Sequence, residues 1–243
     1  MPRDPKKVFI GMAIGTGNTR WETSMSLLSL LASRMPDYEF TIYPGGGCDV
    51  CHARNLMFHY WRTRTECGLC LFIDSDVKFE PHHVVKLVQQ FLDNPDILMC
   101  GGLYPLKGTE LRWSYGGWSV VSEKHPGLWE VFELCGGFTG LRYELLEELI
   151  AAHPDMAYRI EDYAFRGETG YEICAMGPVT REWEIAGDPY SRRVSEDFYL
   201  SMRVRDLGHP IYVDHTIQLG HIGNINLLDL HRDKIHVVAQ GHA

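Results

Sequence analysis

Residues 8–14 form an unbroken apolar run that stops at Gly15-Thr16-Gly17, the pattern of a buried strand entering a loop. Thr19 and Glu22 stand three apart ahead of an apolar-rich stretch reaching Met35, which predicts a capped helix ended by Pro36-Asp37. A short strand is expected at 39–43, a flexible turn at Gly45-Gly46-Gly47, a second helix at 53–64 and a buried strand at 69–73. Pro81 suits the first turn of a third helix, with Val84, Val85, Val88, Phe91 and Leu92 marking one face. Asn94-Pro95 stops that helix before a strand at 97–100. Strands alternating with helices imply a mostly parallel sheet with helices on both faces.

The rhythm then changes. Residues 113–142 read as strands broken at Gly116-Gly117 and Gly136-Gly137, and 143–152 as a helix. Residues 159–193 are irregular, polar and aromatic. Ser195 heads a helix to Leu207, Gly208 ends it, and a late strand follows at 211–213. No repeat or linker interrupts the chain. The expectation is one α/β domain over 1–243, with a first half at 1–105 and a second, partly antiparallel half at 106–243.

Charge narrows the function. Lys and Arg total 23 against 32 Asp and Glu, a formal charge of −9 that argues against a nucleic-acid polymer as partner. A small anionic ligand stays open, because a bound metal reverses the local sign. No apolar core of a leader follows the charged residues 1–7, and no apolar run approaches the roughly 20 residues of a membrane span. Seven cysteines in a chain of this size read as reduced thiols, so the expected setting is soluble and cytoplasmic. Cys48-x-x-Cys51 and Cys67-x-x-Cys70 have zinc-ribbon spacing, yet the helix between them would hold the pairs about 18 Å apart, which favours plain thiols.

The strongest chemical signal is Leu71-Phe72-Ile73-Asp74-Ser75-Asp76, an apolar strand ending in two carboxylates two residues apart. On an extended backbone such residues point to one side, where they can share a Mg²⁺ or Mn²⁺ ion and, through it, phosphate oxygens. In open α/β sheets ligands gather at the carboxyl ends of strands. The plain alternative is a pair of loop carboxylates serving the next helix.

Cys51-His52-Ala53-Arg54-Asn55, then the strand ending Asp74-Ser75-Asp76, then Gly136-Gly137-Phe138-Thr139-Gly140-Leu141-Arg142, Ser195-Glu196-Asp197 and Leu219-Gly220-His221-Ile222-Gly223 together resemble the inverting, metal-dependent GT-A-fold glycosyltransferases. The resemblance runs over residues 8–223. It implies a GT-A-type sheet and transfer of a sugar from a nucleotide-diphosphate sugar to a hydroxyl of a glycan, lipid or protein. It implies Asp74, Asp76 and His221 as metal ligands and Asp197 as the base. The histidine tilts the ion from Mg²⁺ toward Mn²⁺. Ala13, Ile14 and Thr16 fall where the family holds base and ribose, without the proline often found there.

Residue chemistry runs parallel to this. Asp197 falls in the first turn of its helix, where backbone N–H groups favour a carboxylate, and helical geometry is expected to turn Glu196 away from the acceptor. Arg54 and Asn55, expected to open their helix, would make an anion site for the diphosphate with Asp74 and Ser75, unless Arg54 is instead a buried partner of an acidic neighbour. Gly137, Glu196 and Trp113 belong to the expected acceptor side, where the rings of Trp113, Tyr115, Trp118 and Trp129 would either stack on sugars or serve the core. Tyr163, Phe165, Trp183 and Tyr190 are further acceptor-side candidates by position. A nucleotidyltransferase or a non-catalytic sugar- or nucleotide-binding module remains the competing reading; the first would place a basic Gly-rich loop after strand one, where only Arg20 is near.

Overall fold

A computed structural model describes residues 3–14, 19–33, 35–46, 49–107, 111–180 and 191–223. In chain order the elements are β1 (Asp4–Ile14), α1 (Trp21–Ala32), β2 (Glu39–Gly46), α2 (Val50–Arg64), β3 (Cys67–Asp74), β4 (Val77–Lys78), α3 (Pro81–Asp93) and β5 (Met99–Leu103). There follow β6 (Tyr115–Val121), β7 (Trp129–Leu134), β8 (Phe138–Arg142), α4 (Tyr143–Ala152), β9 (Ala157–Arg159) and β10 (Thr169–Tyr171). The last are β11 (Gly177–Thr180), β12 (Ser191–Val194), α5 (Glu196–Asp206), β13 (Ile211–Gln218) and β14 (Gly220–His221).

Among the described residues eight strands make one sheet in the order β2-β1-β3-β8-β5-β13-β7-β6. Only β8 and β7 oppose the common direction, so the sheet is mixed but mostly parallel. Alternate residues divide its two faces, as the period of a strand requires. Val8, Ile10, Met12, Leu69, Leu71 and Ile73 pack with Leu30 of α1 and with Val84, Leu87, Val88 and Phe91 of α3. Phe9, Cys70 and Phe72 pack on the other face with Met57, Phe58 and Trp61 of α2, Leu145 and Leu149 of α4, and Leu200 and Val204 of α5. Each such side chain contributes about 1.5–3 kcal/mol on leaving water. The expected α/β class is the one observed. Among the described residues no helix is long and apolar enough to cross a membrane.

Local departures from expectation have local causes. The Thr19–Glu22 box does not form: the N-cap of α1 is Arg20, without a side-chain cap, and its N–H donates to the Ser75 carbonyl at 2.9 Å. Gly45 and Gly46 continue β2 instead of turning, in parallel register with Ala13 and Ile14. A Cβ at Gly45 would lie 2.5 Å from Met57 Cε, so glycine here lets α2 approach the sheet. The α2 helix starts at Val50, with Asp49 accepting from the His52 N–H at 2.7 Å. Asp49 supplies the cap, and Arg54 therefore lies in the second turn. The α3 face carries Leu87 as a buried member, while Val85 and Leu92 are half-buried. The late strand β13 runs to Gln218 in the middle of the sheet, because β5 and β7 flank it on both sides.

Candidate functional site

The carboxyl ends of β1, β2 and β3 lie level. Ala13 is in register with Asp74 on one side and Gly45 on the other. Asp74 is the last residue of β3, whereas Ser75 and Asp76 lie in the turn to β4. The extended i, i+2 relation is lost at that turn, and the two carboxylates take different partners.

Asp74 faces inward. Its Oδ1 accepts from Arg54 Nη2 at 2.8 Å, and Arg54 Nη1 donates to Glu196 Oε1 at the same distance. Arg54 is 3% exposed, and no partner among the described residues reaches its Nε. Burial disfavours the guanidinium charge, but Asp74, Glu196 and Asp197 together raise its pKa above the ordinary value. Burial likewise pushes the Glu196 carboxyl up; Arg54 opposes this and Asp197 and Asp74 add to it. The expectation that Arg54 opens its helix is corrected, since α2 starts at Val50; the guanidinium forms a buried bridge between α2, β3 and α5, the acidic pairing that the sequence left open. Glu196 turns inward to Arg54.

Asn55 is also committed to the structure. Its Nδ2 donates to the Cys174 carbonyl and its Oδ1 accepts from the Cys174 N–H, both at 2.8 Å. Two buried amide atoms satisfy one buried peptide, which is a structural use of the side chain.

The Gly136-Gly137 turn makes room for this cluster. A Cβ on Gly136 would collide with the Arg54 guanidinium, and one on Gly137 would lie 2.5 Å from Tyr104 Oη and 2.9 Å from Asp74 Oδ2. The Gly137 N–H donates to Tyr104 Oη at 3.0 Å, and its carbonyl accepts from the Asp74 N–H at 3.0 Å. Tyr104 escaped the sequence reading, since a lone tyrosine after a strand carries no motif. Asp197 stands at the head of α5: its Oδ2 accepts from the Gly136 N–H at 3.1 Å, and its Oδ1 accepts from the Phe198 N–H at 2.9 Å and from Ser195 Oγ. Ser195 thus binds Asp197 and not the helix backbone.

Asp76 faces the other way, toward the end of the chain. β14 pairs antiparallel with β4, setting His221 opposite Val77, and the Ile222 N–H donates to the Asp76 carbonyl at 2.8 Å. His221 itself belongs to this two-residue strand. Its Nδ1 donates to the Pro105 carbonyl at 2.8 Å, which leaves Nε2 facing Asp76 Oδ1 at 3.5 Å. Tyr104 meets the imidazole edge-on, with ring centroids 5.2 Å apart. Lys107 Nζ contacts Asp76 Oδ2. Burial works against the Asp76 charge, but Lys107 and His221, the latter in its doubly protonated form, outweigh it and hold the carboxyl down at about 2.

Asp74, Asp76 and His221 are thus not gathered as three ligands, and among the described residues no three His, Cys, Asp or Glu side chains converge on one point. Of the three, Asp76 and His221 are the two that lie close enough to share an ion. A carbonyl fixes the imidazole tautomer, as outer-sphere partners of ligating histidines do. The 3.5 Å separation of Asp76 and His221 is wider than the roughly 3.0 Å between neighbouring octahedral ligands with bonds of about 2.1 Å, so the two side chains would draw together on an ion. Ions such as Mg²⁺ take one or two protein ligands and complete their shell with substrate phosphates and water.

Other expected residues fall outside this centre. Trp113 is 8% exposed and packs in the core, so it offers no open ring to a sugar. Trp129 is half-buried and stacks on His215 at 5.0 Å, and Tyr115 packs edge-on to Trp129. Phe165 is buried against His59 and Tyr60, while Tyr163 is exposed. Thr16, Trp183 and Tyr190, with Cys48, lie outside the described residues, as does the Trp118 side chain. Cys51, Cys67 and Cys70 are free thiols, the last two buried.

No family model matches the chain, and no curated protein matches it in sequence. Solved structures do match in fold. The chain is similar over 89% of its length to A197 from STIV, covering 85% of that chain with a TM-score of 0.52 and 19% identity. It is also similar over 89% of its length to GalNAc-T7 solved with UDP, GalNAc and Mn²⁺, with a TM-score of 0.51 and 9% identity. Of that second chain it spans 44%. The likeness is one of fold, a mostly parallel α/β sheet flanked by helices. More narrowly, the fold is the GT-A-type α/β sheet implied by the sequence motifs.

Proposed function

We propose that the chain transfers a sugar from a nucleotide-diphosphate sugar to an acceptor hydroxyl, with inversion and with a divalent ion. The observation that carries this reading is the meeting, at the carboxyl edge of the sheet, of the Asp74–Asp76 turn with the head of α5 and with His221. In a GT-A-like fold that edge is where ligands of an open α/β sheet collect. Asp76 and His221 would hold the ion, Mn²⁺ or Mg²⁺, which supplies positive charge to the diphosphate leaving group. Ala13 and Ile14, level with Asp74, are the proposed wall for the nucleotide.

In the proposed step the acceptor oxygen bonds to the anomeric carbon as the bond from that carbon to the phosphate oxygen breaks. The hydroxyl proton passes to Asp197, and the nucleoside diphosphate leaves with the bonding electron pair. A carboxylate has about four acceptor sites, and three on Asp197 are filled by Gly136, Phe198 and Ser195. These bonds fix the carboxylate and leave capacity for one incoming hydroxyl. Arg54 keeps Asp74 and Glu196 from repelling each other beside it.

A panel of nucleotide sugars with Mn²⁺ and acceptor mixtures tests the reading, scored by nucleoside diphosphate release and by the anomeric proton signal of the product. Asp197→Asn is expected to lower kcat by about 10²–10⁴-fold, as loss of a general base does, with donor affinity nearly intact. Retention of the donor's anomeric configuration, or an unimpaired Asp197→Asn enzyme, would defeat it.

A further inference from the structure

We propose that Lys107 is an internal counter-cation that competes with the divalent ion for Asp76. The inference rests on the reading of Asp76 and His221 as metal ligands and adds a regulator to that site. The two oxygens of Asp76 have different neighbours: Oδ1 faces the imidazole Nε2, and Oδ2 is met by the lysine ammonium. Pro105 and Lys107 belong to one short segment leaving β5. The Pro105 carbonyl fixes the His221 tautomer, while Lys107, two residues on, neutralises the carboxylate. That segment is pinned on both sides of Pro105, by the Ser114 N–H on the Tyr104 carbonyl at 3.0 Å and by the Leu106 N–H on the Arg112 carbonyl at 2.6 Å. The lysine is therefore delivered to Asp76 by backbone, not by chance of a long loop.

Two cations on one carboxylate repel. An ion seated between Asp76 Oδ1 and His221 Nε2 gains less from a carboxylate that an ammonium has already neutralised. Lys107 has a flexible stem, and its side chain is 53% exposed, so it can leave for solvent when the ion arrives. Its departure subtracts from the ion's binding free energy. The Asp74 carboxylate shows the same neutralisation, there by Arg54, but that guanidinium is 3% exposed and has no such exit. Of the two carboxylates in the motif, one is held closed by a fixed cation and the other by a removable one.

Mn²⁺ titrations followed by the EPR signal of the free ion test this on ligand-free protein, with parent, Lys107→Met and Asp76→Asn compared. Methionine keeps the length and removes the charge, and circular dichroism melts check that each variant folds. Exposed ion pairs are worth up to about 1 kcal/mol, so Lys107→Met is expected to bind Mn²⁺ about fivefold tighter than the parent, and Asp76→Asn to lose binding. Equal or weaker binding by Lys107→Met, with Asp76-dependent binding in the parent, overturns the role of Lys107 and leaves the metal site standing. Binding by no folded variant overturns the metal site and the proposal with it.

Discussion

Arg54→Ala is the most informative single substitution. It removes the cation that joins Asp74 to Glu196 and leaves two carboxylates facing a void in place of a guanidinium that is 3% exposed. Breaking a buried pair by deleting one partner costs about 3–5 kcal/mol, because the remaining charge is buried and uncompensated. In a protein of this size each kcal/mol lowers the melting temperature by about 2–4 °C, so the expected fall is roughly 6–20 °C. The deficit has a pH signature. Glu196 has a raised pKa in the fold even with Arg54 present, and loss of Arg54 raises it further. A carboxyl whose folded pKa exceeds its unfolded value costs stability as pH climbs from the unfolded value of 4.5 through the folded one. The deficit should therefore be smallest near pH 4.5 and grow toward neutrality. Adding Glu196→Gln to Arg54→Ala should recover part of the loss. Thermal melts across that range, in ligand-free protein, read all three effects. An Arg54→Ala protein melting within about 2 °C of the parent at neutral pH would refute the bridge, since that is less than 1 kcal/mol.

Two further outcomes follow from geometry. Burial, with His82 and Lys86 nearby, pushes His83 down from 6.5 to about 4, and its Nδ1 accepts from the Glu80 N–H at 3.1 Å in the cap of α3. The unfolded chain then binds the extra proton first, so stability present above pH 6.5 should fall as pH drops toward 4; melts of the parent and His83→Gln should diverge in that window, and parallel curves would contradict the assignment. Gly137→Ala should be strongly destabilising, by about 1–3 kcal/mol as overpacking is, because its Cβ would press on Tyr104 and Asp74; a melt unchanged from the parent would show that the turn can give way.

The sheet and its helices were legible because their signals are periodic. The face of α3 follows from apolar spacing and the buried strands β1 and β3 from their unbroken apolar runs, and 143–152 matches the observed helix end to end. Helix starts were harder, because capping competes among neighbours: Asp49 took the cap of α2, and Thr19 lost that of α1 to Arg20. This three-residue shift moved Arg54 from a helix end into the interior. The carboxylate motif was visible as residues but not as partners, since the turn after Asp74 sends Asp76 toward a strand nearly 150 residues away in sequence, a separation that no local pattern encodes. Lys107 and Tyr104 had no motif at all; they reach the site only because β5 ends there.

The position of β13 has a consequence for how the chain is made. It is the strand that joins β5 to β7, so the sheet stays in two pieces, β2-β1-β3-β8-β5 and β7-β6, until residues 211–218 have been synthesised. During translation both β5 and β7 carry unpaired backbone edges, which are templates for pairing with other chains. Closure also depends on contacts distant in sequence, which form slowly. Yield in a cell should consequently respond to chaperone supply and growth temperature more than the stability of the finished fold would suggest.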